Sequence, residues 1–205
     1  MARLVLATHN RHKARELEAL LQDAGIEILT LDAFPHVGKI EEDSPTLEGN
    51  ALKKAREVFR QTGLPSLADD TGLEVDALGG APGVFSSRYA GPQATYADNV
   101  AKLLKELQGV ADAERTARFR CVLAFVAHNG VEHVVEGVCR GSIIREPRGL
   151  HGFGYDPVFL PEGFSQTFAE MDADTKNRIS HRAAALHRIK PLLLEYFARP
   201  NAAGN

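Results

Sequence analysis

Two adjacent aspartates, Asp69 and Asp70, end the apolar run LPSLADDTG. Side chains alternate across a strand, so a strand that persists through the pair points the two carboxylates to opposite sides. One can then face a cleft while its neighbour satisfies local backbone donors. A second acidic run, Glu41-Glu42-Asp43, lies upstream in a loop. Carboxylates from two separate loops suit Mg2+, which keeps several waters and takes one or two protein carboxylates together with substrate phosphates. A carboxylate beside such a metal can also deprotonate a water.

A phosphate site is readable near the N-terminus, in LVLATHNRHKARELEALL. The apolar run Leu4 to Ala7 gives way to Thr8-His9-Asn10-Arg11-His12-Lys13, and then a helical pattern begins with Leu17, Leu20 and Leu21 on one face. A strand, a short polar loop and a helix N-terminus together present backbone N–H groups and the positive end of a dipole, which attract an anion. Thr8 and Asn10 add neutral donors, and Lys13 adds a charge that can reach a phosphate. The GxxxxGK[ST] pattern of a Walker A loop is absent. The plainer alternative is an ordinary helix cap with a solvated basic turn.

Two further stretches suit a flat base. In GLHGFGYDP the glycines at 149, 152 and 154 let backbone approach a ligand, while Phe153 and Tyr155 offer ring faces on which a base can stack. Asp156 precedes a proline, which biases it to an extended conformation that aims its side chain. In DTKNRISHRAAAL, Lys176 precedes a helix start that carries Ser180, His181 and Arg182. His181 and Arg182 are donors suited to a carbonyl on a base edge. Basic residues at a helix N-terminus oppose the macrodipole, and that conflict favours a functional reason for them.

These residues need elements to hold them. Arg3 to Thr8 reads as a buried strand, Lys13 to Asp23 as an amphipathic helix and Ile26 to Leu31 as a second strand. Thr46 caps a helix to about Gln61, with Gly63 after it. Leu64 to Ala68 reads as a strand, and residues 79–92 as a long Gly/Pro/Ser loop. Thr95 with Asp98 forms a capping box for a helix to about Leu107. Ala117 to Ala127 and Val131 to Ile144 flank Asn129-Gly130 as a hairpin. A last helix runs from about Asn177 to Ala198. The sum is a mixed α/β fold.

Composition narrows the function. A net charge of −3 over 205 residues argues against a general nucleic-acid binder, which needs a basic face. No run of about 18 apolar residues exists for a membrane span. MARLVLAT lacks the apolar stretch and cleavage site of a signal peptide, so a cytoplasmic protein is expected. Cys121 and Cys139 form no CxxC pair and read as reduced core thiols.

Taken in order, LVLATHNRHKARELEALL, TLEGNALKKA, LADDTGLEVDALGGAPGVFSSRYAG, FRCVLAF, GFGYDPVF and ISHRAAAL resemble the inosine/xanthosine triphosphate pyrophosphatases, which cleanse the nucleotide pool. The resemblance covers essentially the whole chain. One departure stands at TLEGNA, where many members read TFxENA and this chain has Gly49. The resemblance implies an elongated mixed α/β sheet with flanking helices, two lobes around a central nucleotide cleft, and a homodimer. The chain reads as a single domain over residues 1–199, and the end, Pro200 to Asn205, as a disordered tail. The resemblance further implies Mg2+-dependent hydrolysis of ITP, dITP and XTP to the monophosphate and pyrophosphate. On that basis Thr8, His9, Asn10, Arg11, His12 and Lys13 would hold the triphosphate. Asp70 would be proton acceptor and metal ligand, with Glu41 or Glu42 as the second metal carboxylate; spacing alone does not choose between them. Thr71 would touch substrate. Phe153, Gly154, Tyr155, Asp156, Lys176, His181 and Arg182 would form the base and sugar pocket.

Overall fold

The computed structural model describes residues 2–199; the tail expected over 200–205 lies outside the described residues. In chain order the first elements are β1 (Arg3–Leu6), α1 (Arg11–Leu21), β2 (Glu27–Thr30), α2 (Leu47–Thr62) and β3 (Ser66–Val75). Then come β4 (Pro82–Gly83), α3 (Tyr96–Glu106), β5 (Thr116–Val126) and β6 (Glu132–Ile143). The last are β7 (Phe159–Pro161), α4 (Ala173–Ile179) and α5 (His181–Ala198). The mixed α/β class follows the sequence pattern. The chain divides into two compact units, one of residues 2–70, 121–137 and 182–199, the other of residues 71–120 and 138–181.

In the first unit the strands run in the order β2-β1-β3-β5-β6. β1 pairs in parallel with β2 (Leu4 opposite Ile28) and with β3 (Val5 opposite Ser66). Strands buried on both faces read as continuous apolar runs, as Leu4 to Ala7 does. α1 buries Ala14, Leu17 and Leu21, spaced i, i+3 and i+7, and these pack with Leu4, Leu6 and Phe125 in one core. Fully burying each such leucine contributes roughly 1.5–3 kcal/mol. α1 starts at Arg11, two residues before the expected Lys13, because the Asn10 carboxamide caps it. α2 is fixed at both ends. The Thr46 hydroxyl accepts from Gly49 N–H, and Gly63 stops the helix at φ 67°, a left-handed conformation that suits glycine.

In the second unit the order is β4-β3-β5-β6-β7. Its core gathers Leu73, Leu103, Phe119, Phe159 and Phe168. Buried Arg115 donates to the carbonyls of Leu107 (2.9 Å), Ile143 (2.8 Å) and Ile144 (3.2 Å), tying the end of α3 to the end of β6. The capping box at Thr95 forms as the sequence predicts.

Two elements differ from expectation in ways that matter. β3 does not end at Ala68; it continues through Asp69 and Asp70 to Val75. The single C-terminal helix is two helices, because Ser180 is extended (φ −70°, ψ 158°) between α4 and α5. Among the described residues, no helix is long and apolar enough to cross a membrane.

Candidate active site

Because β3 persists through the aspartate pair, Asp69 and Asp70 project to opposite sides and meet different surroundings. Asp69 is buried. It takes an ion pair from Lys13, the Arg182 Nε at 2.9 Å and the Cys121 thiol at 3.2 Å. Arg182 is itself buried and also pairs with Glu16 of α1. Burial alone would raise the Asp69 carboxyl, but the charges of Arg182, Lys13 and Lys54 overcome it and hold it well below the usual carboxylate range. Asp69 is therefore a fixed anion with no proton to exchange near neutral pH.

Asp70 has the opposite character. Burial raises its carboxyl above the ordinary value, and the neighbouring Glu42 adds to the rise, against the pull of Lys54 and Lys13. A carboxylate with raised basicity suits a proton acceptor, and two carboxylates driven apart by their surroundings mark an acid–base assignment.

Lys54 organises this side. Its Nζ donates to Glu42 (2.6 Å), to the Asp69 carbonyl (2.6 Å) and to Asp70 (2.9 Å). Burial would lower its pKa, but Asp70, Glu42 and Asp69 more than compensate and raise it, so the ammonium stays charged. Sequence reasoning missed Lys54. The signal was present: it lies on the buried stripe of α2, Leu47-Ala51-Lys54-Ala55-Val58, where an unpaired lysine would be expensive. The arrangement also separates the acidic candidates. Glu42 is drawn into the Lys54 cluster, whereas Glu41 is exposed. Among the described residues, no group of three or more His, Cys, Asp or Glu side chains could hold a metal ion by itself. The Glu42 and Asp70 carboxylates nevertheless converge on one ammonium. That pair fits a hard cation that draws its other ligands from water and phosphate.

The polar loop is more self-contained than its composition implies. Thr8 Oγ accepts from Asn10 N–H (3.1 Å), and Asn10 Oδ1 accepts from His12 N–H (3.0 Å) and Lys13 N–H (3.3 Å). These side chains therefore occupy several of the helix-end donors expected to be open. His9, Arg11 and His12 are exposed. Lys13, at the start of α1, pairs with Asp69 of the aspartate cluster.

In the second unit, Asp156 is buried and accepts from Lys176 Nζ (2.6 Å) and Phe153 N–H (2.8 Å). Lys176 lies within α4, not before a helix, and its ammonium stands 5.0 Å from the Phe153 ring centre and 5.5 Å from that of Phe168. His181 is buried, with its ring stacked on Phe119 at 4.6 Å. Gly152 has φ 73°, and a Cβ there would stand 2.1 Å from the Asp156 carboxylate. Gly154 also has positive φ, 62°. Tyr155 lies deeper than its sequence suggests. Its ring belongs to the core and its hydroxyl donates to the Ser86 carbonyl (2.9 Å), so Phe153 is the aromatic face of this loop. Arg182 is likewise enclosed, its guanidinium pairing with Asp69 and Glu16. Thr71 is half-buried at the start of the second unit.

The family model described as the Ham1 family matches residues 4–192. A dITP/XTP pyrophosphatase of Desulforamulus reducens is 50% identical over 191 residues, covering 93% of this chain and 95% of the relative. One from Geobacter sulfurreducens is 48% identical over 190 residues, 93% and 96% of the two chains. Among solved structures, a HAM1 protein of Coxiella burnetii superposes with TM-score 0.86 at 46% identity, covering 95% of this chain and 100% of that one.

Proposed function

The chain belongs to the Ham1 family, and from that premise we propose that it is a Mg2+-dependent nucleoside triphosphate pyrophosphatase acting on dITP, XTP and ITP. The observation that carries this reading is the divided aspartate pair, one carboxylate locked as an anion and the other made basic by burial. A pocket that only bound an anion would have no use for either.

In the proposed reaction, water attacks the α-phosphorus in line. Asp70 takes its proton, the new oxygen–phosphorus bond forms and the bond to the β-phosphate's bridging oxygen breaks. Lys54 holds Asp70 and Glu42 in place. Lys13 turns from Asp69 to the phosphates, while Arg182 and Cys121 keep Asp69 compensated. Glu42 and Asp70 are the residues that would hold Mg2+, which supplies charge neutralisation at the phosphate oxygens when bound.

The purine is assigned to the second unit's Phe153 face and the donors Lys176 and His181. Hypoxanthine and xanthine offer a 6-oxo acceptor, whereas adenine offers a 6-amino donor there. Donors left unpaired against adenine can discriminate by about 10⁴. The same reading takes the protein as a cytoplasmic homodimer; exposed Phe85 in the second unit is the surface feature that supports the dimer.

ITP hydrolysed in water enriched in the heavy oxygen isotope should carry the label into the monophosphate. Label in pyrophosphate would move the attack to the β-phosphorus. Glu42→Gln should lower kcat by about 10²-fold or more, while Glu41→Gln, on an exposed side chain, should stay within about twofold. The reverse order in steady-state rates would reassign the metal carboxylate.

A further inference from the structure

Glu42 stands on a loop, and loops place side chains less exactingly than helices unless something pins them. The loop is pinned here to the first turns of α2. Asn50, only 1% exposed, accepts from Ser44 N–H at 2.9 Å through Oδ1 and donates to the Ser44 carbonyl at 3.4 Å through Nδ2. Asn50 is one helical turn before Lys54, so one helix face grips the loop and the Glu42 carboxylate together. Thr46 N–H also donates to Ser44 Oγ at 3.3 Å. Gly49 leaves the necessary room, since a Cβ there would stand 2.0 Å from Ser44 Oγ and 2.8 Å from Ser44 Cβ.

We propose that Asn50 is a positioning residue for the reaction: by clasping Ser44 it sets where the Glu42 carboxylate stands relative to Asp70, with Gly49 providing the space. The proposal rests on the pyrophosphatase reading and deepens it. Both amide bonds are local to the acid loop, so their loss unclasps the loop and leaves Glu42 held by Lys54. Groups that orient ligating carboxylates typically carry 10- to 100-fold in metal affinity or activity.

The test compares wild type, Asn50→Ala, Gly49→Ala and a control, Ser66→Ala. The control removes another buried hydrogen bond to α2, from Ser66 Oγ to the Ala55 carbonyl (2.6 Å), away from the acid loop. Two quantities are read: the Mg2+ concentration giving half-maximal ITP hydrolysis, and the Mg2+-dependent tightening of binding of a non-hydrolysable α,β-imido ITP. Asn50→Ala should raise the first and weaken the second by about 10- to 100-fold, with metal-free binding unchanged. Gly49→Ala should move both the same way, and it provides the test if Asn50→Ala does not fold. Ser66→Ala should lower Tm and move neither. Mg2+ curves for both loop variants that overlay wild type, or an equal shift in Ser66→Ala, would overturn the proposal. Absence of hydrolysis in wild type would instead overturn the pyrophosphatase reading, and the analogue measurement would still decide the role of Asn50.

Discussion

Asp70→Asn is expected to lower kcat for ITP by about 10³-fold or more, a rise of about 4 kcal/mol in the barrier. The substitution keeps the side chain's shape and an oxygen that can accept from Lys54, now 2.9 Å from the carboxylate. It removes the group whose basicity burial has raised. Nucleotide affinity should change far less than kcat, because Lys13, Phe153 and Lys176 are untouched. Calorimetric binding of ITP to the variant, beside single-turnover hydrolysis, separates the two effects. Near wild-type turnover would remove Asp70 from the chemistry.

The second large effect is on stability and concerns Arg182. Its guanidinium is buried between Asp69 and Glu16. Arg182→Met leaves the buried Asp69 and the half-buried Glu16 without their shared cation, which should cost about 3–5 kcal/mol. For a chain of this length each kcal/mol shifts Tm by roughly 2–4 °C. The pH dependence has a definite sign. In wild type the folded Asp69 pKa is depressed, so its stabilisation is present above the unfolded value and lost only as pH falls through the folded one. In the variant the largest charge opposing burial, that of Arg182, is gone, so the Asp69 pKa rises. An acid with a raised folded pKa is least costly when protonated. The variant's deficit should therefore shrink as pH is lowered and be greatest above neutrality. Urea unfolding at mildly acidic and mildly alkaline pH measures this. An unchanged Tm with only an altered ITP-to-ATP preference would return Arg182 to the base pocket.

Much of this arrangement was legible in the residues. The caps at Thr46, Gly63 and Thr95, the strand at Leu4 and the polar loop after it all follow from local rules, and local rules are written in sequence. The opposed fates of Asp69 and Asp70 follow from alternation once β3 is known to continue. Sequence alone could not extend that strand, because aspartates and a glycine disfavour it and tertiary pairing decides. Arg182 and Tyr155 lie deeper than their sequence suggests for a related reason. Each has the chemistry of a ligand contact, but burial against Asp69 or in the core is a long-range outcome that neighbours in sequence do not encode. Lys54 was hidden by its ordinary setting in a helix rich in lysine and arginine. Asn50, Lys54 and Glu42 become one device only when a loop folds back on a helix.

Pyrophosphate release is the direct measure of hydrolysis of deaminated purine triphosphates by the Asp70 cluster. The purified protein would be given dITP, XTP, ITP, ATP and GTP in turn, each with Mg2+ and with EDTA. Rapid release is expected from the first three with Mg2+, little from ATP and GTP, and none with EDTA. No release from any of them, with ITP still raising Tm, would contradict that hydrolysis and leave a nucleotide-binding protein without turnover.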